Sequence, residues 1–196
     1  MATITVRFSR CAPPNLREMW LQKSPIDYSK WICRATHSPF SHGDLVLSDG
    51  TLLGASDNKF APVIQGNARG VAIRPPNYQR FHIRRDARIH TDADRAKAFE
   101  DYCRKQIGKP FDGSALKPGV FLSGDFSNRD WRTEEAWYCF ELMARATEEA
   151  HLFGYKLANI KNRVSAADYL LMIGPRLDFD AFMKPIPTLQ MAPWEM

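Results

Sequence analysis

No run of apolar residues in this 196-residue chain approaches the roughly 20 needed to cross a bilayer. The N-terminus, Met1-Ala2-Thr3-Ile4-Thr5-Val6-Arg7-Phe8, lacks the basic stretch followed by an apolar one that marks an export signal. Both absences predict a soluble, cytoplasmic protein without a transmembrane segment. Cysteine is scarce: Cys11, Cys33, Cys103 and Cys139 lie far apart, with no CxxC pair and no Cys/His cluster of the kind that holds zinc. No metal and no cofactor is expected, and a chain of this length without an export signal does not need disulfide staples, so the thiols are read as free. Internal repeats and linkers are also lacking, which predicts one domain over residues 1–184 and a Pro-containing tail over 185–196. What the chain does have is 44% hydrophobic residues, 12% aromatic and a net charge of +5. That is enough apolar material for a core, and too small a charge imbalance to hold the chain unfolded.

The pattern of the first half is that of strands. Residues 3–8 alternate with period 2, and a loop rich in Pro and Ser follows. His42–Ser48 and Thr51–Asp57 flank Asp49-Gly50, a dipeptide suited to the positive φ angles of a two-residue hairpin turn. A turn that tight sets Ser48 opposite Thr51 and, counting outward, His42 opposite Asp57. Val71–Ile73, Phe81–Arg84 and Ala87–His90 read as further strands beyond a Pro75-Pro76-Asn77 break. From Asp92 the period changes to that of a helix, with Ala96, Phe99, Cys103 and Ile107 on one stripe and Gly108 as its stop. Residues 109–132 are loop-like. A second helix begins between Glu134 and Cys139, and a third runs from the capping box at Ser165 to Met172, before Gly174-Pro175. The predicted fold class is α+β, a small antiparallel sheet packed against helices.

A thiol becomes a useful nucleophile when a helix N-terminus or a neighbouring imidazole stabilises its thiolate. Cys139 is the one cysteine near a helix start. Cys103 falls on the buried stripe of its helix, and Cys33 reads as packing. Cys11 lies in a loop with nothing nearby to activate it. Among the 5 histidines, His42 opens a strand from which its ring can project toward another element. A catalytic imidazole also needs an acceptor on its second nitrogen to fix its tautomer. Asp57, directly across the hairpin at about 5 Å between Cβ atoms, is the first candidate. Asp44 shares the face of His42 by alternation, and Ser56 takes the place of Asp57 if a bulge shifts the register.

Four blocks in order, Pro39-Phe40-Ser41-His42-Gly43-Asp44-Leu45-Val46-Leu47-Ser48-Asp49-Gly50, Gly70-Val71-Ala72-Ile73-Arg74, Ile107-Gly108-Lys109-Pro110-Phe111-Asp112 and Trp137-Tyr138-Cys139-Phe140-Glu141-Leu142, resemble the permuted NlpC/P60 (papain-like) superfamily. Its short phage and bacterial members and the branch containing lecithin:retinol acyltransferase share this order. Ordinary members place the nucleophilic Cys before the His. Permuted members reverse them, with an early His strand and a late Trp-aromatic-Cys helix. The resemblance spans most of residues 1–170 and implies a circularly permuted papain-like fold, with Cys139 as nucleophile and His42 as base. Two positions depart from the pattern: Phe140 stands where Ser is common, and Phe111 where a Tyr is usual.

The function implied is a cysteine peptidase or amidase acting on a peptide or acyl substrate, such as cell-wall peptide. The Cys139 thiolate attacks the carbonyl, His42 shuttles the proton, and backbone N–H groups at the helix start hold the oxyanion. The alternatives are a lipid or thioester acyltransferase or thioesterase, and an inactive interaction module of a phage. Arg69, Arg74, Arg80, Arg84, Arg85 and Arg88 raise the question of nucleic acid. They are interleaved with an ordinary strand pattern and accompanied by no stacking platform, so they read as a solvated sheet face, some of them holding an anionic substrate group. Trp131, Trp137 and Tyr138 read as core beside Cys139, or as walls of a groove.

Overall fold

The computed structural model describes residues 1–12, 28–116, 132–154, 164–184 and 186. Six strands form one antiparallel sheet: β1 (Ala2–Cys11), β2 (His42–Val46), β3 (Leu52–Ser56), β4 (Gln65–Gly66), β5 (Gly70–Arg74) and β6 (Phe81–Thr91), in the order β4-β5-β3-β2-β1-β6. The helices are α1 (Tyr28–Ala35), α2 (Ala93–Lys105), α3 (Cys139–Glu149), α4 (Ala166–Ile173) and α5 (Phe179–Met183). The class is α+β, as the patterning implied. Among the described residues, no helix is long and apolar enough to cross a membrane.

Period-2 burial builds the sheet. Ile4, Val6 and Phe8 of β1 enter the main core with Leu45, Leu53, Val71, Ile73, Ala87 and Ile89, facing the helices. The two stretches read separately as 81–84 and 87–90 are one strand, because β6 pairs along the whole of β1, from Ala2 opposite Thr91 to Cys11 opposite Phe81. The other face carries a second cluster of Leu52, Ala61, Tyr78 and Phe81. The central strands are therefore covered on both sides, and β3 and β5 are buried throughout.

The turn after β2 differs from the two-residue expectation. Leu47 N donates to Thr51 O at 2.9 Å and Gly50 N to Leu47 O at 2.9 Å, so three residues, Ser48-Asp49-Gly50, connect the strands. Gly50 takes the left-handed conformation (φ 82°) that a three-residue hairpin needs at this position. The extra residue moves the register by one: Leu45 pairs with Leu53 and Val46 with Leu52. Continued outward, that register sets Gly54 opposite Asp44 and Ser56, not Asp57, opposite His42.

Helix α3 is the central helix, buried on nearly every side. Its interior carboxylate Glu148 is neutralised by Arg132 at 3.0 Å and Arg145 at 3.4 Å, which a buried charge requires. The capping box expected at Ser165 is formed, with Ser165 N donating to Asp168 Oδ2 at 2.8 Å. Helix α1 replaces part of the loop expected after β1. Residues 117–131 of the loop expected over 109–132, Trp131 among them, and the tail over 185–196 apart from Ile186, lie outside the described residues.

Candidate active site

The start of α3 is fixed to the sheet by backbone. Val71 N of β5 donates to Lys109 O at 2.9 Å and Phe111 N to Arg69 O at 3.0 Å, which lays residues 109–111 along β5. That segment in turn grips Trp137: Trp137 N donates to Pro110 O and Asp112 N to Trp137 O, each at 3.0 Å. The Trp137 indole N–H donates to Gln106 Oε1 at 3.2 Å, tying the same point to the end of α2. Glu141 Oε2 accepts from Tyr138 N at 3.2 Å, half of a capping arrangement, and the Tyr138 hydroxyl reaches Ser41 O at 3.3 Å, just before β2. Cys139 is then the first helical residue, which places its sulfur at the positive end of the helix. The window from Glu134 to Cys139 closes at its last position.

Two glycines bring the strands and the helix together. A Cβ on Gly43 would stand 2.5 Å from the Phe140 ring, so only glycine lets Phe140 seat against β2. Phe140 there packs on Phe8 and Tyr169 with centroid separations of 5.1 and 6.1 Å. The departure from Ser at this position thus serves packing. A Cβ on Gly54 would stand 2.0 Å from Asp44 Oδ1, so Gly54 supplies the room in which the Asp44 carboxylate sits.

His42 begins β2, and Asp44 follows on the same face. His42 Nε2 lies 3.0 Å from Asp44 Oδ2 and 2.7 Å from the Tyr78 hydroxyl, which itself donates to Asp44 Oδ2 at 3.1 Å. With Nε2 so engaged, Nδ1 is the ring nitrogen left for another partner. Cys139 is the second group, after Asp44, that favours the charged imidazole. Burial alone would push the His42 imidazole down, but Asp44 and Cys139 together outweigh it and raise it to about 10. Burial likewise opposes charge on Asp44. The His42 charge and hydrogen bond, the Arg74 guanidinium and the Tyr78 hydroxyl overcome that and hold its carboxyl below the usual range. The Tyr78 phenol is pushed well up, by burial first and then by Asp44, and stays a donor. Arg74 is fully buried, with Nη1 on Gly54 O at 2.8 Å and Nη2 on Gly70 O at 2.9 Å.

The chain matches no protein-family model and no curated protein.

The other candidates fall elsewhere. Asp57 is a correction: displaced by the three-residue turn, it is exposed and bonded to Arg69 at 2.7 and 2.9 Å. Ser56 occupies the position across from His42, yet its hydroxyl accepts from Asn58 N at 3.2 Å. Asp44, the alternative reached by alternation, is the carboxylate on the imidazole. Cys103 is buried on α2, where burial pushes its thiol far up. No disulfide joins the described cysteines, and no group of three or more His, Cys, Asp or Glu among the described residues could hold a metal. The arginine run is only partly a solvated face: Arg69 and Arg88 are exposed, whereas Arg74 and Arg84 are buried.

Tyr78 was not found from the sequence. It stands in the turn after Pro75-Pro76, where Tyr78 N donates to Pro75 O at 3.2 Å, and no spacing rule links that turn to β2.

Proposed function

We propose that this protein is a cysteine-dependent hydrolase with a permuted papain-like fold of the NlpC/P60 kind, cleaving an amide through an acyl-enzyme on Cys139. The observation that carries this reading is the meeting of two side chains 97 positions apart, a thiol at the first residue of a buried helix and an imidazole backed by a buried carboxylate. A helix N-terminus and a neighbouring imidazole are the two features through which a thiol can react as its thiolate. The sulfur attacks the carbonyl carbon and the electron pair moves onto oxygen, where first-turn N–H groups of α3, lacking helical acceptors, receive it. Collapse breaks the C–N bond as His42 gives its proton to the leaving amine. His42 then takes a proton from water, which displaces the sulfur and releases the acid. Asp44 takes the orienting role first assigned to Asp57.

The test is iodoacetamide labelling near neutral pH, followed by hydrolysis of muropeptide-type amides and of acyl esters. Selective labelling at Cys139 and amide cleavage lost in Cys139→Ala support the reading. Equal labelling of Cys103 and Cys139 overturns it, and turnover of acyl esters alone replaces the amidase with an acyltransferase or thioesterase.

A further inference from the structure

We propose that Tyr78 is a positioning residue of this thiol site, its hydroxyl locking the imidazole with Nε2 toward Asp44 so that the opposite ring nitrogen is kept for Cys139. The proposal rests on the cysteine-hydrolase reading and adds a residue that neither strand nor helix supplies.

The geometry of three atoms carries it. The Tyr78 oxygen stands 2.7 Å from His42 Nε2 and 3.1 Å from Asp44 Oδ2, while Nε2 and Oδ2 are themselves 3.0 Å apart. An ionised carboxylate only accepts, so the phenolic proton points to Oδ2 and the phenolic lone pair meets the Nε2 proton. That closed triangle admits one orientation of the ring. Flipping the imidazole would set a carbon against two buried oxygens and forfeit both hydrogen bonds.

The ring of Tyr78 is itself fixed. It packs edge-on against Phe81 at 5.7 Å and against His42 at 6.3 Å, with the Arg74 guanidinium 5.3 Å from its centroid. Gln79 Nε2 approaches the hydroxyl at 3.5 Å and donates to Cys11 Sγ at 3.1 Å. The charged and titratable groups facing Tyr78 are therefore Asp44, Arg74, His42 and Cys11, and those facing Asp44 are His42, Arg74 and Tyr78. After His42 and Arg74, the Tyr78 hydroxyl is a further group that favours the ionised Asp44 carboxylate.

Tyr78→Phe keeps the ring and its packing and removes only the hydroxyl. The experiment measures carbamidomethylation of Cys139 by peptide mass spectrometry in the full chain, across about pH 2 to 9, for wild type, Tyr78→Phe and Asp44→Asn. Cys103, whose thiol burial pushes far up, reports folding by staying unlabelled. Tyr78→Phe is expected to label Cys139 about tenfold more slowly on the plateau, with the acid limb about one pH unit higher, as Asp44 protonates sooner. Asp44→Asn is expected to lose more of the plateau rate than Tyr78→Phe. A Tyr78→Phe profile superimposable on wild type overturns the positioning role. Failure of wild type to label selectively at Cys139 overturns the thiol reading beneath it, a separate result.

Discussion

Gly54→Ala tests whether the space around Asp44 is set as tightly as the contacts imply. The added methyl would meet Asp44 Oδ1 at 2.0 Å, Asp44 Cγ at 3.1 Å and Gly43 O at 3.2 Å. The first distance is far inside van der Waals contact, so something must move. Asp44 has little freedom to do so, because it is buried and its Oδ2 is held at 3.0 Å by His42 and 3.1 Å by Tyr78. Either β3 separates from β2 or the carboxylate rotates off the imidazole. The first outcome is overpacking, at about 1–3 kcal/mol. The second leaves a buried charge pair broken, at about 3–5 kcal/mol. For a domain of this size about 1–5 kcal/mol lowers the melting temperature by roughly 2–20 °C. Thermal unfolding gives the total, and an NMR titration of the His42 ring separates the routes, since only carboxylate rotation brings its midpoint down from about 10. Gly113→Ala is the control, as a Cβ there meets nothing within 4 Å. A Gly54→Ala protein melting with the control and keeping the wild-type His42 titration would refute the close-packing account.

The electrostatics make a second prediction, on stability against pH. His42 is raised from 6.5 to about 10, so its contribution is complete below about pH 6.5 and is lost as pH rises through about 10. Asp44 is lowered from 3.8, so its contribution is present above that value and is lost as pH falls through its folded value. Urea midpoints should therefore be highest between those two unfolded-state values and decline to either side, and Asp44→Asn should flatten both limbs; an unchanged acid limb in that variant refutes the assignment. Cys139→Ser should lower the His42 midpoint, because one of the two partners that raise it is gone; an unmoved midpoint places the sulfur out of reach. Asp57→Asn, confined to an exposed pair with Arg69, should leave Cys139 labelling within about twofold of wild type, since such pairs contribute at most about 1 kcal/mol. Gly43→Ala should slow that labelling by displacing Phe140, and with it the start of α3, from β2.

How legible the site was depended on the range of each signal. Cys139 and His42 are set by local pattern: a helix start after Trp137-Tyr138, and the first residue of an alternating strand. Asp44 was within reach for the same reason, since i and i+2 share a face whatever the turn does. Asp57 was preferred by counting residues across a hairpin, and that count is only as good as the turn length. Asp49-Gly50 is compatible with a two-residue turn, but a three-residue turn also wants glycine in the left-handed conformation, and one added residue exchanges Asp57 for Ser56. Arg74 misled because a strand arginine is ordinarily a surface residue. Its guanidinium is instead held inside by the carbonyls of Gly54, Ala72, Asn67, Ala68 and Gly70, an arrangement that exists only once β3, β5 and the following loop have assembled.

The order of charges explains why the buried site tolerates ionisation. Arg74 lies beside Asp44 and Asp44 beside His42, so positive, negative and positive follow one another from β5 to the start of β2. Any one of these charges alone in the interior would cost several kcal/mol. In alternation each is stabilised by its neighbour, and the fixed positive end is the arginine, whose backbone acceptors carry no counter-charge of their own. Asp44 thus lies between two cations, and its charge favours that of the imidazole. Under the proposed hydrolase reading, the Cys139 sulfur is next to an imidazolium whose proton would be in place for a leaving group. Neutralising Asp44 should therefore disturb Cys139 more than any substitution at Asp57 or Ser56, although Ser56 is the residue across the strand from His42.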